Sequence, residues 1–228
     1  MRFLCLHGAG TNSQIFEFQT ASLRHELGGD HVYEFVDGLI PCEPFAGMSC
    51  RLQDFISSDS DYLAYYEPNN STSFSKAKSD LKTYIDEEGP FDGVIAFSQG
   101  SSLAAVVMIE QHVRQAAKFD ATSTTTQPFR CAVFLSARLP YVDAGYHPQC
   151  HGMLTSEELI VVPTVHIWGA KDKIEPDQHL ALSKICKRQT RYIFVHGGEH
   201  EVPGPRDKDS LTGSVRMIKK MLTEVECS

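Results

Sequence analysis

The chain has 228 residues, 42% of them hydrophobic and 22% charged, with a formal net charge of −8. That is the profile of one globular domain large enough to bury its own core. No face-sized run of Lys and Arg is present, which argues against nucleic acid as a partner, and no apolar stretch approaches the ~20 residues of a membrane span. The segment Arg2–Leu6 is too short for a signal-peptide core and runs straight into His7-Gly8. Seven cysteines, odd in number and without a C-x-x-C spacing, read as reduced thiols. The expectation is a cytoplasmic protein.

Short apolar runs alternate with longer helical stretches. Arg2–Leu6 predicts a strand, 14–26 a helix and Val32–Val36 a second strand. Residues 38–73 fit neither period and carry Phe45, Phe55, Tyr62, Tyr65 and Tyr66. Long connections in compact domains are usually functional or disordered. The segment therefore reads as a lid or pocket insertion, with Phe45, Tyr62, Tyr65 and Tyr66 as substrate-pocket candidates and packing over the sheet edge as the alternative. A helix over 74–87, a strand over Gly93–Phe97 and a helix over 99–117 follow. Beyond the polar tract Asp120–Gln127 come strands at Arg130–Leu135 and Thr164–Trp168, a helix over 176–187, a strand at Arg191–Val195 and a helix over 207–224. Several strands are continuous apolar runs, which suits a sheet covered on both faces. Repeated β-then-α units imply an α/β fold, one domain spanning 1–228 with a mostly parallel sheet and helices on both sides.

In Val94-Ile95-Ala96-Phe97-Ser98-Gln99-Gly100 an apolar strand ends at a serine, and a helix begins. This is the setting of a nucleophile elbow, usually written G-x-S-x-G, with Ala96 in place of the first glycine. A strand entering His7-Gly8-Ala9-Gly10 supplies backbone amides beside that elbow, and Ala9 and Gln99 are the oxyanion-hole candidates. A dinucleotide fingerprint fails because Ser13 occupies the third glycine position, and no Gly-Lys-Ser/Thr marks a phosphate-binding loop. A nucleophilic serine needs a base and an orienting acid. Asp172 follows the strand ending at Trp168-Gly169, and His200 follows the strand ending before Gly197-Gly198. Both lie beyond strand C-terminal ends, and the order Ser98, Asp172, His200 is that of an α/β-hydrolase. His196 competes with His200 but belongs to the strand end. Asp177 competes with Asp172 but looks like the start of a helix. His147, Cys150 and His151 lack a second ligand pair at zinc spacing, so neither a metal nor a cofactor is expected.

With these segments together the chain resembles the fungal serine hydrolase (FSH) family, including ovarian-tumour-suppressor-like hydrolases and stand-alone polyketide-pathway thioesterases of the lovastatin type. The resemblance rests on Leu6-His7-Gly8 with Asn12, Phe35-Val36-Asp37-Gly38, Gly89-Pro90-Phe91-Asp92-Gly93-Val94, Phe97-Ser98-Gln99-Gly100, Gly169 with Asp172, and Gly198 with His200-Glu201-Val202-Pro203. Glu199 stands between Gly198 and His200, where that family more often runs glycine directly into histidine. The resemblance implies hydrolysis of an ester or thioester, and for pathway members release of a polyketide acyl chain from an acyl carrier protein. Arg51 and Arg138 are the basic residues that an acidic carrier domain would meet, with surface solvation the favoured account of each. A general carboxylesterase for small or alkyl esters, and a non-catalytic binding module on a hydrolase fold, are the alternatives.

Overall fold

The computed structural model describes residues 1–45, 61–117, 127–140, 158–174 and 177–227. In chain order the elements are β1 (Arg2–Leu6), α1 (Ser13–Leu27), β2 (Val32–Val36), β3 (Ile40–Pro41), β4 (Leu63–Ala64), α2 (Ser71–Glu88), β5 (Gly93–Phe97), α3 (Gln99–Ala117), β6 (Cys131–Leu135), β7 (Thr164–Gly169), α4 (Gln178–Lys184), β8 (Arg191–His196) and α5 (Lys208–Glu226). Six strands form one sheet in the order β2-β1-β5-β6-β7-β8, and every pair in it is parallel. The expected α/β architecture is what the chain adopts.

The apolar strand runs are explained by burial on both faces. Leu4, Leu6, Val94, Ala96, Ala132 and Phe134 point to one side, where Phe74 and Leu81 of α2 and Leu103 and Val107 of α3 complete a core. Phe3, Cys5, Ile95, Phe97, Val133, Leu135 and Val165 point to the other, against Phe16 and Leu23 of α1 and Leu211, Ile218 and Met221 of α5. Side chains alternate at period two, so a continuous apolar run feeds both layers.

Helix starts follow their caps. Asn12 accepts from the Ile15 amide at 2.8 Å and Asn70 from the Ser73 amide at 3.0 Å, each satisfying a donor the first helical turn leaves open. Asn70 sets the start of α2 at Ser71, one turn earlier than its apolar pattern suggests. The helix expected over 176–187 is the shorter α4, because the chain beyond Ile185 leaves to bridge Cys186 with Ile160.

The described ends of the 38–73 insertion form a small antiparallel hairpin, β3 with β4, and residues 46–60, including Arg51 and Phe55, lie outside the described residues. The hairpin is tied to the loop after β1. Gly10 donates to the Leu63 carbonyl at 3.0 Å, Leu63 to that of Thr11 at 2.8 Å, and Phe45 to that of Gly10 at 3.0 Å. Strand order reverses between β1 and β5, so the loops leaving them diverge to opposite sides and open a crevice at the carboxyl edge.

Candidate active site

Ser98 occupies the bend between β5 and α3 with φ of 49°, a left-handed conformation rare for a residue with a side chain. The bend is possible because its neighbours are small. A Cβ on Gly100 would lie 2.6 Å from the carbonyl oxygens of both Leu6 and His7, and one on Gly8 would lie 3.2 Å from the Ser98 Cβ. The third small neighbour, Ala96, is fully buried between Leu6 of β1 and Phe134 of β6 and passes its carbonyl to the Ser101 hydroxyl at 2.7 Å. Alanine fits where the motif normally has glycine.

The structure brings Ser98, His200 and Asp172 into one line. His200 Nε2 lies 3.0 Å from Ser98 Oγ, and His200 Nδ1 lies 2.7 Å from Asp172 Oδ2. An ionised carboxylate only accepts, so Nδ1 carries the hydrogen and Nε2 presents its lone pair to the serine hydroxyl. Burial works against the Asp172 charge, but hydrogen bonds from His179 and His200 and from the Ile174 amide outweigh it and hold the carboxyl well below the usual carboxylate range. Phe45 and Phe97 rings flank His200 with centroids at 5.6 and 5.2 Å.

The loop after β8 is locked to the loop after β7. Ala170 donates to the His196 carbonyl at 2.7 Å and Lys171 to the Gly198 carbonyl at 2.9 Å. Glu199, the extra residue before His200, turns its amide toward the Glu201 carboxylate at 3.4 Å, and His200 still reaches its partners. The competing His196 is buried and accepts from the Gly198 amide at 3.2 Å, and burial pulls its pKa down. Asp177 is exposed at the cap of α4 and makes no capping bond.

Among the described residues, neither the Ala9 nor the Gln99 amide has an acceptor, whereas the Gly100 amide donates to His7 at 3.2 Å. The Gln99 side chain braces the insertion against the elbow. Its Oε1 accepts from the Tyr65 amide and its Nε2 donates to the Tyr66 carbonyl, both at 2.8 Å. His7 is a second brace, which burial holds below its ordinary pKa. Its Nδ1 donates to the Gly8 carbonyl at 2.8 Å, and its Nε2 accepts from the Gly38 amide at 2.9 Å. Neither bracing role is visible in residue spacing.

Tyr65 and Tyr66, two of the pocket candidates, directly follow β4. Both are buried within the core that includes α2 and α3. The Tyr65 phenol donates to the Val36 carbonyl at 2.7 Å and accepts from the His7 amide at 3.0 Å, and Tyr66 meets Phe74 edge-on at 4.7 Å. Aromatic content alone cannot distinguish a pocket wall from a structural plug. Tyr62 is half-buried in the hairpin, its carbonyl accepting from the Cys42 amide at 2.8 Å, and of the four candidates Phe45 is the one whose ring lies against His200. Arg138 is half-buried, with its carbonyl bonded to Ser102. His147, Cys150 and His151 lie outside the described residues. Among the described residues no group of three or more His, Cys, Asp and Glu could hold a metal, and no helix is long and apolar enough to cross a membrane.

Residues 1–211 match the family described as serine hydrolase (FSH1). The chain belongs to this serine hydrolase family. It is 39% identical to Esterase FPY3 of Fusarium mangiferae over 98% of both chains, and 31% identical to Hydrolase phiM of a fungal species (strain ATCC 74256) over 89% of this chain and 86% of that one. As a member of the serine hydrolase family it is an enzyme. Its fold is that of a carboxylesterase from Mesorhizobium loti, with a TM-score of 0.61 at 14% identity over 98% of this chain and 88% of that one. The same holds for SOBER1 of Arabidopsis thaliana, with a TM-score of 0.59 at 15% identity over 97% and 99%. Sequence similarity at that level carries the fold alone.

Proposed function

We propose that this hydrolase cleaves an acyl thioester through a Ser98 acyl-enzyme, with His200 as general base and Asp172 as its orienting acid. The observation that carries the reading is the unbroken line from Ser98 through His200 to Asp172, set on a left-handed serine. Ser98 Oγ attacks the carbonyl carbon while its proton passes to His200 Nε2. The carbonyl oxygen becomes negative within reach of the Ala9 and Gln99 amides. The tetrahedral intermediate collapses, the C–S bond breaks, and His200 returns the proton to the departing thiolate. Water then repeats the sequence on the acyl-enzyme, and Ser98 is regenerated.

The acyl group we propose is a polyketide chain carried on an acyl carrier protein. The resemblance to polyketide-pathway thioesterases and the apolar Phe45 face beside His200 support it. A second reading, hydrolysis of small or alkyl esters, is favoured by the similarity to Esterase FPY3. The triad serves both, because an oxygen or a sulfur leaving group accepts the same proton. Membership of a hydrolase family sets aside the non-catalytic binding module.

Release of an acyl chain from a synthase-bound carrier protein, set beside hydrolysis of a p-nitrophenyl ester, separates the readings. Much faster release of the carrier-bound chain, lost in Ser98→Ala, is the expected result. Turnover of the small ester alone makes the protein a carboxylesterase, and unchanged activity in Ser98→Ala overturns the triad.

A further inference from the structure

The two amides assigned to the oxyanion come from different parts of the chain. Ala9 lies in the loop after β1, and Gln99 opens α3 directly beyond Ser98. One short segment of the insertion, Leu63–Tyr66, is bonded to both. At its first residue, Leu63 donates to the Thr11 carbonyl at 2.8 Å and accepts from the Gly10 amide at 3.0 Å, an antiparallel bridge to the residues that follow Ala9. Two residues on, the Tyr65 amide donates to Gln99 Oε1 and the Tyr66 carbonyl accepts from Gln99 Nε2, both at 2.8 Å. A planar carboxamide carries an acceptor and a donor side by side, so the buried Gln99 side chain satisfies both backbone groups without bringing in a charge. Tyr65 adds a further tie. Its phenol accepts from the His7 amide at 3.0 Å and donates to the Val36 carbonyl at 2.7 Å, and its ring stacks on the His7 imidazole at 4.6 Å.

We propose that Leu63–Tyr66 is a splint that sets the spacing of the Ala9 and Gln99 amides, which makes the Gln99 carboxamide and the Tyr65 phenol positioning groups of the oxyanion hole. The proposal rests on the Ser98 acyl-enzyme reading above. The pairing of β1 with β5 ends at Leu6 with Ala96, three residues short of each amide. Past that pair, among the described residues, one backbone bond links the two exits directly, from the Gly100 amide to the His7 carbonyl at 3.2 Å. The splint spans the same gap from the side of the insertion. It is backed by Gly38, where a Cβ would lie 2.4 Å from the Ala64 carbonyl carbon and oxygen and 2.8 Å from the Tyr65 nitrogen. Donors aimed at a developing oxyanion act in the transition state and are effective because they are already in place. A hole that loses its splint therefore loses rate and leaves substrate affinity alone.

The test uses the full chain, a p-nitrophenyl ester and a trifluoromethyl ketone, in wild type, Gln99→Met and Tyr65→Phe. Ser98 Oγ adds to the ketone carbonyl, its proton passes to His200, and the carbonyl oxygen is left negative in the hole. The inhibition constant therefore reports the hole and is independent of the fraction of folded protein. Gln99→Met keeps the side-chain length and the backbone amide and removes both carboxamide bonds. It is expected to lower kcat about 10–100-fold with KM unchanged, and to weaken ketone inhibition by a matching factor. Tyr65→Phe keeps the ring and removes the phenol bonds, and is expected to lower both by about 3–10-fold. The acidic limb of kcat/KM stays in place in both variants, because the Ser98–His200 and His200–Asp172 contacts are untouched. A fall in turnover with an unchanged inhibition constant reduces the segment to packing and overturns the proposal. A raised KM with intact kcat, or wild-type behaviour of Gln99→Met, does the same. Thermal unfolding identifies a variant that does not fold, and Tyr65→Phe, the smaller change, then decides. A ketone that fails to inhibit the wild type, or turnover that survives Ser98→Ala, overturns the acyl-enzyme reading itself, a failure these variants do not mimic.

Discussion

Gly100→Ala adds one methyl group at the point where the elbow passes the end of β1. The new Cβ would lie 2.6 Å from the carbonyl oxygens of Leu6 and His7, both backbone atoms of β1 and its exit. Neither can yield as a flexible side chain would, so α3 and the bend must lift from β1 by about half an ångström or more. Overpacking of this kind costs about 1–3 kcal/mol. The displacement also separates Ser98 and the Gln99 amide, on the α3 side, from the Ala9 amide on the β1 side. A misplacement approaching 1 Å at reacting groups costs about 100-fold in rate. We expect kcat/KM on a p-nitrophenyl ester to fall about 100-fold, together with a Tm several degrees lower. Gly204→Ala is the control, because the nearest atom to its Cβ would be the Val202 carbonyl oxygen at 4.0 Å. Wild-type kcat/KM and Tm in Gly100→Ala would refute the reasoning. A lowered Tm with intact kcat would show that the bend can move without disturbing the chemistry.

Asp172→Asn should lower kcat about 1000-fold or more, because the amide fails to hold the His200 tautomer, while His196→Ala should stay within several-fold of wild type in the same assay. His166, 1% exposed on β7, has its pKa pushed down from 6.5 to about 3 by burial and by the Arg191 charge. Its folded pKa lies below its unfolded one, so its stability contribution is complete above about pH 6.5 and is lost as pH falls toward 3. Denaturant titrations across that window should show a loss of about 1.4 kcal/mol per pH unit from this group, and a shallower slope in His166→Leu. Lys78→Met should destabilise the protein measurably, because it strips the buried Glu110 carboxylate of its 2.5 Å partner and leaves Lys82 and Arg114 at 3.6 and 3.8 Å.

The sheet was legible because its strands are apolar on both faces, so Gly93–Phe97 and Arg130–Leu135 announce themselves without any knowledge of their neighbours. The positions of Ser98, Asp172 and His200 were legible because each sits just beyond the carboxyl end of a strand, where chain geometry restricts what a serine, an aspartate or a histidine can do. Side-chain direction was not. Tyr65 and Tyr66 read as pocket residues by composition, yet both side chains are buried in the core that includes α2 and α3. His179 gave no signal at all. It lies on a helix of ordinary polarity, and its contact with Asp172 exists only because α4 packs across the ends of β6 and β7. The braces formed by His7 and Gln99 are of the same kind, long-range pairs that no local period encodes.

The most direct test of the central claim is covalent labelling of the intact protein with a fluorophosphonate, read by mass spectrometry and peptide mapping. The account predicts a single adduct per chain on the peptide containing Ser98, absent in Ser98→Ala and much slower to form in His200→Ala. An adduct on another residue, or one that persists in Ser98→Ala, would contradict it.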